Sequence, residues 1–143
     1  MILMQGSEIL HASCVAVDGR GLLILGPSGT GKSGLALRLL ALGAQLVADD
    51  RTEITRAGDA LIARCPPAIS GLIEARGIGI LRATPVMQTA IVLAVDLGQT
   101  ETHRLPQRRV ITLLDASIDL VLASQSAHFD AALWCYLRGG RQE

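Results

Sequence analysis

The sequence predicts an α/β fold with a mixed, largely parallel central sheet. Short apolar runs rich in Val, Ile and Leu are separated by Gly and Asp turns, which is typical of buried strands in such a sheet. The run at residues 22–25 leads into a glycine-rich loop and then into apolar residues at helical spacing. This order of strand, loop and helix predicts a crossover to a second, parallel strand at residues 45–48.

Length and composition limit the class of protein. We expect the 143 residues to form one domain, residues 1–143. The 13 basic and 13 acidic side chains balance and aromatic residues make up 2% of the chain, so neither charge nor stacking favours nucleic acid. Apolar runs fall short of the roughly 18 residues of a membrane span, and residues 1–10 lack the basic start of a signal peptide. The three cysteines are widely spaced, so we expect free thiols in a cytoplasmic protein.

The segment ahead of the glycine loop predicts a β-hairpin. Asp18 and Gly19 separate an apolar run at residues 9–17 from the strand at 22–25, and Asp-Gly is a strong two-residue turn signal. A two-residue turn would place His11 opposite Gly26, at the mouth of the loop. A four-residue turn would move it opposite Ser28, in the same loop, so either register brings His11 close to the loop.

The remaining elements follow from the same patterns. The helix after the loop should end at Gly43, and Asp49 and Asp50 should follow the strand at 45–48. We expect a hairpin of residues 52–56 and 61–65, strands over 89–97 and 110–114, and a helix over 127–137 with Ser126 as its N-cap and Gly139 at its end.

Residues 26–33 match GxxxxGK[ST], the Walker A or P-loop pattern. In such a loop, backbone N–H groups surround phosphates, the lysine reaches the outer phosphates and the hydroxyl binds Mg²⁺. Lys32 is the one lysine among the 13 basic residues, and a lysine supplies the compact charge that fits inside a loop. The predicted nucleotide-binding residues are Gly26, Pro27, Ser28, Gly29, Thr30, Gly31, Lys32 and Ser33.

Asp49 and Asp50 should lie at the carboxyl edge of the sheet, where an α/β crevice opens beside the phosphates. One carboxylate could orient Mg²⁺ and the other accept a proton from a hydroxyl. On an extended chain the two side chains point opposite ways, so we expect Asp50 to face the phosphates. A pair of solvated acids in a turn is the alternative.

A second charged segment, residues 73–80, has the sequence IEARGIGI. Two glycines would let a ligand approach the backbone, and Glu74 and Arg76 lie close by. A charged edge around a strand is the alternative. His103 and His128 lack ligand-like spacing, which indicates surface or capping roles.

The His11 strand, the Walker A loop, the segment LVADDR at 46–51 and the segment EARGIGI at 74–80 together resemble the catalytic domain of the HPr kinase/phosphorylase family. The resemblance extends over about residues 10–105. That family adds phosphate to, and can remove it from, a serine of HPr, the small phosphocarrier of the sugar phosphotransferase system. The resemblance implies ATP and Mg²⁺ as cofactors, an HPr-like protein as acceptor and a homo-oligomer, specifically a hexamer.

The resemblance also implies roles for individual residues. His11 resembles the family's active-site histidine, Lys32 its phosphate lysine, and Ser33 and Glu74 its magnesium-binding pair, to which we add Asp49. Asp50 resembles the residue that accepts the proton during phosphorylation and donates it in the reverse reaction. Arg104, in the segment HRL at 103–105, resembles an arginine that the family places opposite the phosphates.

Two departures from the family modify this interpretation. The chain begins almost at the His11 strand, as in a short form without the N-terminal domain, and residues 110–115 lack the Pro and Arg that the family associates with dephosphorylation. Kinase activity is therefore favoured over phosphorylase activity. The alternatives are a small-molecule P-loop kinase and a non-catalytic ATP-sensing module, whereas a GTPase would need a second lysine in its base-reading motif. Asp50 separates catalysis from sensing, since a sensor would tolerate Asn there.

Overall fold

The computed structural model describes residues 6–143. The prediction that residues 1–10 are not a signal peptide concerns, in part, residues 1–5, which lie outside the described residues. A short 3-10 helix occupies Pro67–Ile69. In chain order the other elements are β1 Ser7–Leu10, β2 Ser13–Val17, β3 Arg20–Leu25, α1 Lys32–Ala41, β4 Gln45–Ala48, β5 Thr52–Ala57, β6 Ala60–Arg64, β7 Leu72–Ala75, β8 Gly79–Arg82, β9 Gln88–Thr100, β10 Arg109–Leu113, β11 Ala116–Ala123 and α2 Phe129–Gly139.

One large mixed sheet organises the fold, and β9 is its branch point. The strand order is β1-β5-β6-β9-β3-β2-β4, with β11 pairing with both β9 and β10. β7 and β8 form a separate two-stranded hairpin. The α/β class and the mixed sheet are therefore confirmed.

The expected predominance of parallel pairing is wrong. Among the strands of residues 6–143, β3 with β9 and β11 with β9 are parallel, and the other pairs are antiparallel. The physical reason is the length of the connections, because two-residue turns such as Asp18-Gly19 and Leu114-Asp115 can join only antiparallel strands. The predicted crossover does make β3 and β4 parallel in direction, but β2 lies between them.

The hairpin before the glycine loop has the predicted two-residue register. Asp18 and Gly19 have positive φ values of 51° and 76°, as a type I′ turn requires, and β2 pairs antiparallel with β3 from Val17–Arg20 to Ser13–Ile24. The single strand expected over residues 9–17 is wrong, since β1 pairs with β5 instead. His11 lies in the break between β1 and β2, so its expected pairing with Gly26 is not formed.

Helix α1 ends as predicted. Gly43 has a φ of 114°, its N–H donates to the Leu40 carbonyl at 3.0 Å, and the Ala44 N–H donates to the Leu39 carbonyl at 3.0 Å. These two bonds form a Schellman motif, which turns the chain directly into β4.

The core has two apolar layers because the strands alternate. Leu22 and Ile24 of β3 face α1 and α2, where they pack with Leu35 and Leu137. Leu23 points to the opposite face, where it belongs to a cluster with residues of β5, β6 and β9. The sheet is thus covered by helices on one side and curls onto its own strands on the other.

The C-terminal region differs from the expectation in two places. Helix α2 has His128 at its N-cap position, and Ser126 Oγ accepts the His128 N–H at 3.3 Å in the turn before it, so the prediction of Ser126 as N-cap is wrong. Gly139 is the last helical residue and Gly140, with a φ of 74°, follows it. β11 was not predicted. From residue 6 onward, no helix is both long and apolar enough to cross a membrane.

Candidate active site

The glycine loop connects β3 to α1 at the carboxyl edge of the sheet. Gly26 has a φ of 146°, and a Cβ there would lie 2.7 Å from Thr30 Oγ1, so the position requires glycine. The loop closes on itself, because the Thr30 hydroxyl donates to the Pro27 carbonyl at 2.7 Å. Its shape is therefore set largely by its own residues.

The glycine loop also rests on β9. Asp96 of β9 pairs with Leu25 at the end of β3, and the chain then passes Pro27 at Gly98. A Cβ at Gly98 would lie 2.9 Å from Pro27 Cδ, so only glycine allows this contact. Sequence reasoning gave Gly98 no role, although a glycine near the end of an apolar strand is a signal of close backbone approach.

Lys32 begins α1 and lies inside the loop. Its side chain is buried, and Nζ donates to the Gly26 carbonyl at 2.8 Å and to the Pro27 carbonyl at 3.2 Å. The first turn of α1 carries no acidic side chain. The positive end of the helix and the ammonium group therefore combine beside the loop, which favours an anion.

Asp49 connects three other parts of the chain. Its Oδ1 accepts the hydroxyls of Ser33, at 2.7 Å, and Ser13, at 2.9 Å, and its Oδ2 accepts the Glu74 N–H at 3.1 Å. The residue is 8% exposed. Asp49 thus connects the start of α1, β2 and β7.

Asp50 occupies a tight turn and is exposed. Its φ is 65°, and the Arg51 N–H donates to the Asp49 carbonyl at 2.8 Å, which is the bond of a γ-turn with positive φ. The Asp50 N–H donates to Ser13 Oγ at 3.3 Å. Asp49 is buried and Asp50 is exposed, and a γ-turn rather than an extended chain joins them. The expectation that Asp50 faces the phosphates stays a prediction. Positive φ at a non-glycine residue is a conformation that the surrounding structure must hold.

Two clefts meet at Asp50 and Glu74. The first has a volume of about 390 Å³ and lies over the glycine loop. The second has a volume of about 320 Å³ and shares Asp50 and Glu74 in its lining. The first cleft is lined by Ser28, Gly29, Gly31, Lys32, Ser33, Gly34, Leu37, Asp50, Glu74 and Arg76. The second is lined by Asp49, Asp50, Arg51, Ile69, Leu72, Ile73, Glu74 and Ile80.

The segment 73–80 forms the hairpin of β7 and β8 beside these clefts. Alternation along β7 buries Ile73 and Ala75 and leaves Glu74 exposed at the junction. Arg76 follows at the turn and lines the first cleft. The hairpin thus contributes one acidic and one basic side chain to the site.

Two of the sequence-predicted catalytic residues lie away from the linings of both clefts. His11 is exposed, two residues before Ser13, and Arg104 is exposed in the connection between β9 and β10. The structure therefore brings together Lys32 and Asp50 with the residues proposed for metal. Their roles and those of His11 and Arg104 remain predictions.

Ser33, Asp49 and Glu74 carry hydroxyl and carboxylate oxygens, the type of ligand that Mg²⁺ prefers. In the described part of the chain, no group of three or more His, Cys, Asp or Glu side chains is arranged to hold a metal ion. This does not conflict with the fit, because Mg²⁺ usually binds one or two carboxylates together with substrate phosphates and waters.

Cys65 lies near enough to Asp49 to feel its charge. Partial burial, and then the negative charge of Asp49, raise the pKa of its thiol. A raised pKa keeps the sulfur protonated at neutral pH, and the thiolate is the reactive form. The site therefore offers hydroxyl and carboxylate chemistry and no activated thiol.

Comparison with known proteins places these features in one family. Residues 3–111 match the model of the HPr Serine kinase C-terminal domain. An HPr kinase/phosphorylase of Aromatoleum aromaticum is 40% identical over 113 residues, which cover 70% of this chain and 36% of that protein. One of Ralstonia pickettii is 45% identical over 108 residues, which cover 68% of this chain and 33% of that protein. The chain thus spans about a third of the length of these curated relatives.

A solved structure agrees. The HPr(Ser) kinase/phosphatase from Coxiella burnetii superposes with a TM-score of 0.77 at 26% identity, covering 92% of this chain and 94% of that one. Since the family model matches most of the residues and the solved kinase shares the fold along nearly its whole length, the chain belongs to the HPr serine kinase C-terminal domain family.

Proposed function

We propose that this chain is an ATP-dependent protein kinase that phosphorylates a serine of HPr or of an HPr-like phosphocarrier. The observation that carries the proposal is that Asp50 lines two clefts at once, and the glycine loop lines the first of them. Phosphoryl transfer requires a donor and an acceptor to meet in line at one point. This arrangement provides a place for each.

The first cleft would hold ATP. The glycine-loop N–H groups and the N-terminus of α1 would surround the phosphates, and Lys32 Nζ would exchange its two loop carbonyls for phosphate oxygens. Ser33, Asp49 and Glu74 would hold Mg²⁺, which when bound neutralises charge on the outer phosphates. Arg76 lies in the same lining and adds a second cation.

Asp50 would act as the base. Its carboxylate is exposed at the junction, and it makes none of the hydrogen bonds that occupy Asp49. A serine hydroxyl is a poor nucleophile, so a nearby carboxylate that accepts its proton speeds the transfer. In the reverse reaction the same group would return the proton, which makes phosphorylase activity a secondary proposal.

The second cleft favours a protein acceptor over a small metabolite. Its walls include Ile69, Leu72 and Ile80, and the Ile80 residue is 64% exposed. Exposed apolar side chains beside a reaction centre are suited to the apolar surface of another protein.

We further propose that the chain works in the cytoplasm as a homo-oligomer, with a hexamer as the expected form. The three cysteines are free, which suits a reducing compartment. Light scattering of the purified chain measures the assembly, and a species of 15.0 kDa alone would contradict it.

The function is tested by mixing the purified chain with Mg-ATP and the HPr-like proteins of its host. Mass spectrometry then locates any phosphate. Phosphoserine on such a protein supports the proposal. Turnover of ATP on a small hydroxyl compound would favour the small-molecule kinase, and tight ATP binding with no transfer would favour the sensing module.

A further inference from the structure

Ser13 is a buried hydroxyl that none of the sequence motifs includes. It is the first residue of β2, is 0% exposed and lies in an otherwise apolar strand. Its Oγ donates to Asp49 Oδ1 at 2.9 Å and accepts the Asp50 N–H at 3.3 Å. One side chain thus contacts both aspartates of the site.

The position of Ser13 in the sheet explains why its hydroxyl can hold Asp49 and Asp50. Ser13 pairs with Ile24 in β3, and the next residue, Cys14, pairs with Ala48 at the end of β4. Ser13 is therefore anchored to the strand that precedes the glycine loop and lies beside the end of the strand that precedes the aspartates. A rigid strand fixes a functional group more closely than a loop does.

We infer that Ser13 is a positioning residue that holds Asp50 in its γ-turn and Asp49 toward Ser33. The inference rests on the proposed function, in which Asp50 accepts the proton. The φ of 65° at Asp50 is unfavourable for a non-glycine residue, so some contact must maintain it. The bond from the Asp50 N–H to Ser13 Oγ connects this strained residue to the sheet.

Loss of the hydroxyl would act on both aspartates at once. The Asp50 N–H would lose its acceptor, and Asp49 Oδ1 would keep the Ser33 hydroxyl but lose that of Ser13. The turn could then move, and the Asp50 carboxylate would leave its position in the lining of the two clefts. Because Ser13 lines neither cleft, we expect the effect on turnover to exceed the effect on ATP binding.

The test compares Ser13→Ala with Ser13→Thr, which keeps a hydroxyl, and with Thr52→Val. Thr52 is a matched control, since its hydroxyl is equally buried and donates to the Ala12 carbonyl at 2.8 Å without contacting either aspartate. Two readouts are taken: kcat and KM for the phosphorylation reaction, and amide hydrogen exchange of Asp50 by NMR in the full chain without nucleotide.

We expect Ser13→Ala to lower kcat by ~10–100-fold, as is usual for partners that orient a reacting group. The KM for ATP should change by less than ~3-fold, because the cleft lining is intact. Exchange of the Asp50 amide should accelerate by at least ~10-fold, as expected for the loss of local protection. Ser13→Thr and Thr52→Val should each have a kcat and an Asp50 amide exchange rate close to those of the wild type.

The outcomes separate this inference from the proposed function. Unchanged exchange at Asp50 in Ser13→Ala overturns the role of Ser13 whatever the activity. If the wild type phosphorylates protein and Ser13→Ala has the same kcat, the role of Ser13 is overturned as well. A loss of kcat in Thr52→Val equal to that in Ser13→Ala would assign the effect to packing and also overturn it. If the wild type transfers phosphate to no protein, the proposed function fails and the exchange measurement alone decides about Ser13.

Discussion

The glycine loop and the aspartate turn face the same cleft, yet they are held in different ways. The loop closes through bonds among its own residues, Thr30 to Pro27 and Lys32 to Gly26 and Pro27. The turn at Asp49 and Asp50 is held by side chains and N–H groups from β2, α1 and β7. Substitutions in the loop should therefore have local effects, whereas the turn should respond to changes elsewhere in the chain.

The largest effect should come from Lys32→Ala. In the proposed function the Lys32 ammonium group contacts the outer phosphates, so we expect its removal to reduce ATP turnover to background. The fold should remain, because the residues on either side close the loop without it. Phosphorylation assays and circular dichroism measure the two quantities. Turnover at the wild-type rate would remove Lys32 from the site.

Asp50→Asn should have the next largest effect and should sharpen the contrast between the two aspartates. The amide keeps the shape of the side chain but cannot accept the proton, so protein phosphorylation should slow by at least ~100-fold. Affinity for Mg-ATP should stay within about tenfold, or roughly 1.4 kcal/mol. Rapid-quench kinetics and calorimetry provide the measurements.

The control is Asp49→Asn. Asp49 accepts two hydroxyls and one N–H, and the amide's nitrogen would oppose at least one of these donors. It should therefore affect metal binding or stability more than proton transfer. If Asp49→Asn slows transfer while Asp50→Asn leaves it near wild type, the two assignments must be exchanged.

The same contrast explains what the sequence could predict. The glycine loop, the Asp18-Gly19 hairpin and the end of α1 at Gly43 are local patterns, in which neighbouring residues contain the cause. The role of Ser13 could not be predicted locally, because its bonds to Asp49 and Asp50 span 36 and 37 residues.

Strand order was predicted less well for a similar reason. The break at His11 depends on the pairing of β1 with β5, in which Leu10 lies opposite Thr52. No local sequence signal predicts that pairing. The two parallel pairings both involve β9, which is far in sequence from β3. Patterns of residues fix which segments become strands, and long-range pairing then fixes their neighbours.

Gly26→Ala tests whether the loop determines its own shape. At a φ of 146°, and with Thr30 Oγ1 2.7 Å from the new methyl group, we expect the free energy of unfolding to fall by about 2–3 kcal/mol. Gly58→Ala is the matched control, since its φ of 62° is also positive but nothing lies within 4 Å, and about 1 kcal/mol is expected. Urea denaturation gives both values. Equal losses would show that the contact with Thr30 is unimportant.

The smallest effect concerns the connection that carries Arg104, which is held neither like the loop nor like the turn. Arg109 Nε and Nη2 donate to the two carboxylate oxygens of Glu101, each at 3.1 Å, and the N–H groups of Thr102 and His103 donate to the same carboxylate. The bond with Arg109 is the main cause that lowers the pKa of Glu101 from 4.5 to about 2. The carboxyl therefore binds a proton more readily in the unfolded chain than in the folded one. Its contribution to stability is present above about pH 4.5 and is lost as the pH falls toward 2.

Glu101→Gln removes this pH-dependent contribution. We expect the difference in unfolding free energy between wild type and Glu101→Gln to be small at neutral pH, since the Arg109 side chain is 40% exposed and solvent screens the ion pair. The difference should shrink further as the pH falls through the same range. Urea titrations at several pH values measure it, and adding salt at neutral pH should reduce it too, because exposed charges are screened. A difference that stays constant with pH would mean that Glu101 holds the connection by hydrogen bonds that the amide of Gln can replace. The connection that carries Arg104 would then be held by its own residues, as the glycine loop is.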